Sequence, residues 1–318
     1  MHLLVPFASS LSEACAQVVA GLELPRLARL LAVFEEIGRD DGDAYSFSPP
    51  HERALAAGWG WHGVDGALPF AARAAAADGI AVAGNAWALL TPAHWQLGRD
   101  SVTLLEPALL GLDRTESRAF FDAIRGLLES EGFACAWGAA DRWYAARPDL
   151  DGLATASLDR AIGRSVDLWL RDRAASHPLF ALVRRLQSEA QLLLHTHPGN
   201  EAREERGELA VNSFWLSGCG RHQPADESAT PTVEAALRQP LLAGDWAGWA
   251  EAWRGLDQGP IARLLGEADG GRAATLTLCG ERSAARFTTA PSSSLGSLWR
   301  QARSRWRPAS PAALLATL

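Results

Sequence analysis

Residues 184–220 read RRLQSEAQLLLHTHPGNEAREERGELAVNSFWLSGCG. The opening of this stretch continues a stripe of leucines, Leu179, Leu182, Leu186, Leu193 and Leu194, at the spacing that lines up apolar side chains along one side of a helix. Pro178 is placed to open that helix and Pro198 to close it, and Arg185 and Glu189 stand four apart, where opposite charges meet on a helix surface. The close of the stretch, residues 211–216, is VNSFWL, a short apolar run of strand-forming residues that ends in the glycine turn SGCG. A helix that leads through a polar loop into a short buried strand is the building unit of an α/β protein.

Working outward, residues 3–7 predict a buried strand, and residues 13–37 carry helical spacing interrupted near residues 21–25. The polar loop RDDGDAYSFSPP then leads to a proline-primed helix through His51, Glu52 and Arg53. Strands are expected at residues 87–97 and 101–105, a helix at 115–129 with Glu116 in its first turn, and a hairpin over 133–146 turning at 138–141. After a polar, proline-containing connection at 221–231, helices are expected at 232–242 and 246–265, a strand at 274–278 and an arginine-rich helix at 297–307. The reading is therefore an α/β fold, a mixed sheet flanked by helices. Residues 1–220 carry the site motifs, and residues 221–318 add helices and one strand to the same sheet.

At 318 residues, with 48% hydrophobic and 21% charged side chains, the chain has the composition of a folded globular protein. The net charge of −7 gives no overall positive field to gather nucleic acid or anionic lipid. All 30 basic residues are arginine, which excludes a phosphate-loop lysine, a Schiff base and a lysine general base. Arginine can still grip a carboxylate or phosphate in a two-pronged fork. The four cysteines, Cys15, Cys135, Cys219 and Cys279, lie far apart and read as reduced core thiols, not as a zinc or redox motif. The apolar run at the start is too short for a secretory core or a membrane span, so the chain is read as cytoplasmic. The 13 tryptophans are scattered without a basic stripe, as core filling and pocket lining require.

Anion-binding side chains are densest in residues 184–220, where Arg184, Arg185, Arg203, Arg206, His195, His197, Asn200 and Asn212 surround a helix end and a strand end. Such ends are where α/β proteins hold ligands. The same residues also fit a charged surface helix with a histidine capping its own end. His195 and His197 lack an obvious third metal ligand, Glu201, Glu204 and Glu205 reading as solvated-face residues. A second constellation, TASLDRAIGRSVDLW, can be capped by Thr155 or Ser157 so that Arg160 and Arg164 share one helix face, though Asp159 and Asp167 could neutralise them. The histidines of SPPHERAL and TPAHWQLGRD read as structural, and no glycine-flanked nucleophile elbow occurs.

The run HTHPGNEAREERGELAVNSFWLSGCG resembles archaeal-type cofactor-independent phosphoglycerate mutases over about forty residues, through His197, Pro198, Asn200, Arg203, Gly207, Asn212 and the glycine turn at 218–220. SPPHERAL, TPAHW, ESRAFF and TASLDRAIGRSVDLW extend a second resemblance, to bacterial regulatory proteins of the pathogenicity-factor E type, across residues 2–290. The first resemblance implies an alkaline-phosphatase-like core with an inserted subdomain, in which two metal ions activate a serine nucleophile. The chain departs from that pattern. Pro6 and Phe7 stand where an Asp-Gly would follow the first strand, and the last histidine is His222, whereas the family takes late metal ligands from its C-terminal part. The expectation is a regulatory or accessory protein without metal or cofactor that binds a small phosphorylated or carboxylated metabolite. Arg203, His197, Asn200 and Asn212 would surround the ligand, guanidinium groups of Arg160, Arg164 and Arg185 would converge on it, and His195 would carry any proton. An active phosphotransferase or phosphatase and a protein-interaction module or homo-oligomer are the alternatives.

Overall fold

A computed structural model describes residues 1–170, 177–289 and 310–318. The first sixty residues form β1 (His2–Val5), α1 (Glu13–Ala20), α2 (Pro25–Val33), β2 (Phe34–Asp41) and α3 (Pro50–Gly58). The middle of the chain forms α4 (Phe70–Ala77), β3 (Ala86–Ala93), β4 (Trp95–Leu97), β5 (Val102–Leu104), α5 (Arg114–Ser130), β6 (Ala134–Ala139), β7 (Arg142–Ala146), α6 (Leu158–Ala161), α7 (Asp167–Leu170), α8 (Pro178–His195), α9 (Pro198–Glu205) and β8 (Ser213–Arg221). The remainder adds β9 (Thr232–Val233), α10 (Arg238–Leu242), α11 (Trp246–Leu256), α12 (Ala262–Asp269), β10 (Thr275–Cys279), β11 (Ser283–Thr289) and α13 (Pro311–Leu315). The architecture is α/β, as the sequence indicates.

Two compact units emerge: residues 1–60 with 226–318, and residues 61–225, which are inserted in sequence between the two segments of the first. The insertion ends at Ala225, and the first unit resumes at Asp226. Grouping residues 1–60 with the middle of the chain has no counterpart in these units, because β1 pairs in parallel with β10 and β9 across more than two hundred residues.

The first unit holds a mixed sheet in the order β2-β11-β10-β1-β9. Leu3 and Val5 of β1 face the cluster formed with α1, α2, α11 and α12, while Leu4 faces Ala54 and Leu55 of α3. A central strand covered on both faces reads as a continuous apolar run, which is why residues 3–7 show no alternation. Trp249 and Trp253 fill the larger cluster and are fully buried. The helix expected to reach Ile37 stops at Val33. The next residues, FEEIGRDD, bury only Phe34 and pair with β11 as an exposed edge strand. In place of a helix over 232–242, β9 and a short 3-10 turn precede α10. The helix expected over 246–265 is α11 and α12 joined by a π-type turn around Pro260. The arginine-rich helix expected at 297–307 lies outside the described residues.

The second unit holds an antiparallel sheet, β6-β7-β3-β8, with α5 and α8 against one face and α4 against the other. Residues 133–146 form the expected hairpin, β6 and β7. The glycine run after residue 216 is no turn; β8 continues through it to Arg221. Gly218 has φ +67° and Gly220 φ +148°, beside an irregularity in the β3–β8 register. A Cβ on Gly218 would lie 2.9 Å from the backbone nitrogen of Ala71, so the glycines let the start of α4 approach the strand. The TASLDRAIGRSVDLW segment likewise forms no continuous helix. Ser157 caps α6, but Ile162 bridges to Leu104 and the Gly163 amide donates to Leu104 O at 2.8 Å. Arg164 therefore lies beyond the helix end and shares no helix face with Arg160.

Candidate functional site

The site is built on α8. Its buried residues Leu179, Phe180, Val183, Leu186, Gln187, Ala190 and Leu194 recur every three or four positions, while Leu193 of the expected stripe turns out to be exposed. One residue on the buried face is polar. Gln187 is 3% exposed, and its amide nitrogen donates to Phe214 O at 3.2 Å. That bond fixes the side chain, and Oε1 receives no hydrogen bond from any described residue.

Beside this face opens a cavity of about 890 Å³, a size suited to a small organic ligand. Its walls come from Arg184, Gln187, Ser188, Gln191, Leu192 and His195 of α8 and from Asn200, Glu201 and Glu204 of α9. Trp95, Leu97 and Val102 of the β4–β5 hairpin face them, and Val166, Asp167 and residues between Gly207 and Asn212 complete the lining. Arg184 is half-buried and makes no ion pair with a described residue. Glu201 and Glu204 are exposed and likewise unpaired among the described residues, so they do not neutralise Arg184 across the cavity. The indole Nε1 of Trp95 is sealed from solvent and donates to no described group.

His195, Asn200 and Asn212, singled out by sequence, do meet at this cavity. Of the three, only the His195 side chain makes no hydrogen bond or ion pair with a described residue. Asn200 donates to Leu194 O and Val211 O and accepts from the Val211 amide, each at 2.8 Å, which ties the end of α8 to the start of β8. Asn212 accepts from the Trp95 amide at 2.7 Å and donates to Trp95 O at 3.0 Å, positioning that tryptophan. His94 fixes the same corner through Nδ1 and Ala210 O at 2.8 Å.

His197 caps α9, its Nδ1 accepting from the Gly199 amide at 3.0 Å while its ring lies 4.8 Å from that of Phe120. Burial holds its pKa below the ordinary histidine value. Arg203 is fully buried, with Nη1 on Glu116 at 2.8 Å, Nε on Leu209 O at 2.7 Å and Nη2 on Leu110 O. Arg185 pairs at the surface with Glu131 at 2.5 Å and Glu189 at 3.7 Å. None of His197, Arg203, Arg185, Arg160 and Arg164 lines the cavity. The expected convergence of guanidinium groups is replaced by one arginine, Arg184, because the others are drawn to carboxylates and carbonyls of the protein or lie on a broken helix.

Sequence reading missed Trp95 and Gln187 and set Glu201 and Glu204 aside. Gln187 carried a usable signal, a polar residue at a core position of an amphipathic helix. Trp95 did not, since nothing in the local sequence tells a lining indole from a packed one. Among the described residues no three of His, Cys, Asp and Glu come together to hold a metal ion. No described helix is long and apolar enough to cross a membrane.

No family model matches the chain, and no curated protein does. Among solved structures, a cofactor-independent phosphoglycerate mutase from Thermoplasma acidophilum is similar at 15% identity over 90% of this chain and 89% of that one, with a TM-score of 0.37. A protein from Pyrococcus horikoshii is similar at 12% identity over 91% and 87% of the two chains, with a TM-score of 0.45. Likenesses at this level say nothing about this chain's chemistry.

Proposed function

We propose that this chain is a cytoplasmic regulatory or accessory protein that binds a small carboxylated ligand in the cavity beside α8, and is not a phosphoryl-transfer enzyme. The observation that carries the reading is Arg184, half-buried in the cavity wall and without an ion pair among the described residues. A guanidinium can grip one carboxylate in a two-pronged fork. Leu97, Val102, Val166 and Leu192 would cover an apolar body attached to it. A dianionic phosphate is disfavoured, since Glu201 and Glu204 would repel the second charge.

Thermal melts with octanoate, 3-phenylpropionate and 3-phosphoglycerate test this. The two apolar carboxylates are expected to raise the melting temperature with concentration, by an amount equivalent to about 2.7 kcal/mol at a hundred times Kd. Arg184→Gln should weaken them about tenfold or more, as loss of a charged hydrogen bond implies. No shift, an equal shift in the variant, or a response to phosphoglycerate alone would overturn the reading. A second reading, an interaction module, draws on Leu97 and Leu192, 81% and 73% exposed at the cavity wall. A chain that only docks a macromolecule gives no shift with any of the three compounds.

A further inference from the structure

The cavity beside α8 has one polar wall and one apolar wall. Arg184, Ser188, Gln191 and His195 follow one another at intervals of four, three and four along α8, so at about 100° per residue they fall within about 60° of arc on the helix. Their side chains are accessible: Arg184 and Gln191 are half-buried, Ser188 and His195 exposed. Gln191 and His195 hydrogen-bond to no described residue, and Ser188 donates to Arg184 O at 3.2 Å, which leaves its oxygen free to accept. From Arg184 to His195 the stripe runs about 16 Å, at about 1.5 Å per residue. On the opposite wall Leu97 pairs with Val102 in the β4–β5 hairpin, and the Val166 amide donates to Val102 O at 2.9 Å, which sets three apolar lining residues side by side. Asp167 also lines the cavity but already interacts within the chain. Because Asn200 donates to Leu194 O, α9 starts at the end of α8, and Glu201 and Glu204 border the His195 end of the stripe.

We infer that the ligand is an elongated carboxylate with hydroxyl groups along one edge and hydrocarbon along the other: its carboxylate meets Arg184, its hydroxyls bond to Ser188, Gln191 and His195, and its apolar edge lies on Leu97, Val102 and Val166. This rests on the carboxylate reading above and adds the hydroxylated edge and its length. A plain fatty acid would take water from Gln191 and His195 and return no hydrogen bond. A sugar acid, polar all round, would press hydroxyls against the apolar strip. A second carboxylate at the far end would be repelled by Glu201 and Glu204, so that end is a hydroxyl, whose proton a glutamate can accept. A hydroxylated sterol acid and an ω-hydroxy fatty acid share this chemistry.

Isothermal titration of the full chain tests it with two pairs, dodecanoate against 12-hydroxydodecanoate and lithocholate against the more hydroxylated cholate, and with dodecanedioate and 3-phenylpropionate. In at least one pair the more hydroxylated member is expected to bind about threefold to tenfold more tightly, as one added hydrogen bond implies. A preference in the cholate pair alone identifies a ring, and one in the dodecanoate pair alone an open chain. Gln191→Leu and His195→Leu change accessible side chains and should leave the fold intact. Each should reduce that preference and leave 3-phenylpropionate, too short to span the stripe, within about twofold of its wild-type affinity. No preference in either pair, or a preference untouched by both variants, refutes the hydroxylated edge, while binding of 3-phenylpropionate keeps the carboxylate reading standing. Dodecanedioate binding as tightly as 12-hydroxydodecanoate overturns the hydroxyl at the far end. If no carboxylate binds, or all bind Arg184→Gln equally well, the carboxylate reading falls.

Discussion

Arg203→Met separates a structural arginine from a ligand-binding one. The guanidinium is fully buried and holds two backbone carbonyls, Leu209 O at 2.7 Å and Leu110 O, besides Glu116. Methionine keeps most of the apolar stem but no donor. Each carbonyl left without its donor costs about 1–3 kcal/mol. The Glu116 carboxylate adds little, because Arg206 still holds it at 2.5 Å. The total is about 4 kcal/mol, in the range for breaking a buried ion pair from one side. For a unit of this size that lowers the melting temperature by about 8–16 °C. Near-ultraviolet circular dichroism through a thermal ramp reads the loss. Arg185→Met, which removes only a surface pair with Glu131 and Glu189, should cost about 1 kcal/mol or less. A fall of less than 3 °C for Arg203→Met, together with lost carboxylate binding, would refute the reasoning and return Arg203 to the ligand.

Two further outcomes concern titration. Burial pushes the Cys135 and Cys219 thiols up to about 12 and raises Cys15 and Cys279 as well. An aromatic disulfide reagent at pH 8 should therefore label none of the four in the native protein and all of them after denaturation; rapid native labelling would contradict their burial. His2, bonded to Thr277 Oγ1 at 2.9 Å, is pulled from the ordinary 6.5 down to about 4, first by burial and then by Arg286 and the amino terminus. Between those values the unfolded chain binds the proton more readily, so stability falls as pH drops from about 6.5 to 4. Urea midpoints across that window should show the slope, and His2→Gln should flatten it; an unchanged slope in the variant assigns it to other groups.

The elements legible in the sequence are those whose pattern is set by their own burial. The helix read after Pro178 is α8, which runs from Pro178 to His195, and the hairpin over 133–146 is β6 and β7. Each buries one face, and that face imposes a period. β2 was illegible for the opposite reason: an edge strand burying only Phe34 has no alternation, and its identity comes from pairing with β11, more than two hundred residues away. The site divides in the same way. His195, Asn200 and Asn212 share one cavity because polar residues cluster at element ends. The partners of Arg203 were illegible because sequence shows a guanidinium without them, and Glu116 lies 87 residues away. The same blindness hid the place of Gln187 and Trp95 in the cavity wall.

The most direct test of the cavity follows the indole N–H signals of the 13 tryptophans in a nitrogen-15 spectrum, with Trp95 assigned through Trp95→Phe. On titration with 3-phenylpropionate the signal of Trp95, a residue of the cavity wall, is expected to shift, saturating with the Kd of the thermal melts and staying still in Arg184→Gln. A Trp95 signal that does not respond while 3-phenylpropionate binds, or one that moves equally in Arg184→Gln, would contradict the cavity as the binding site.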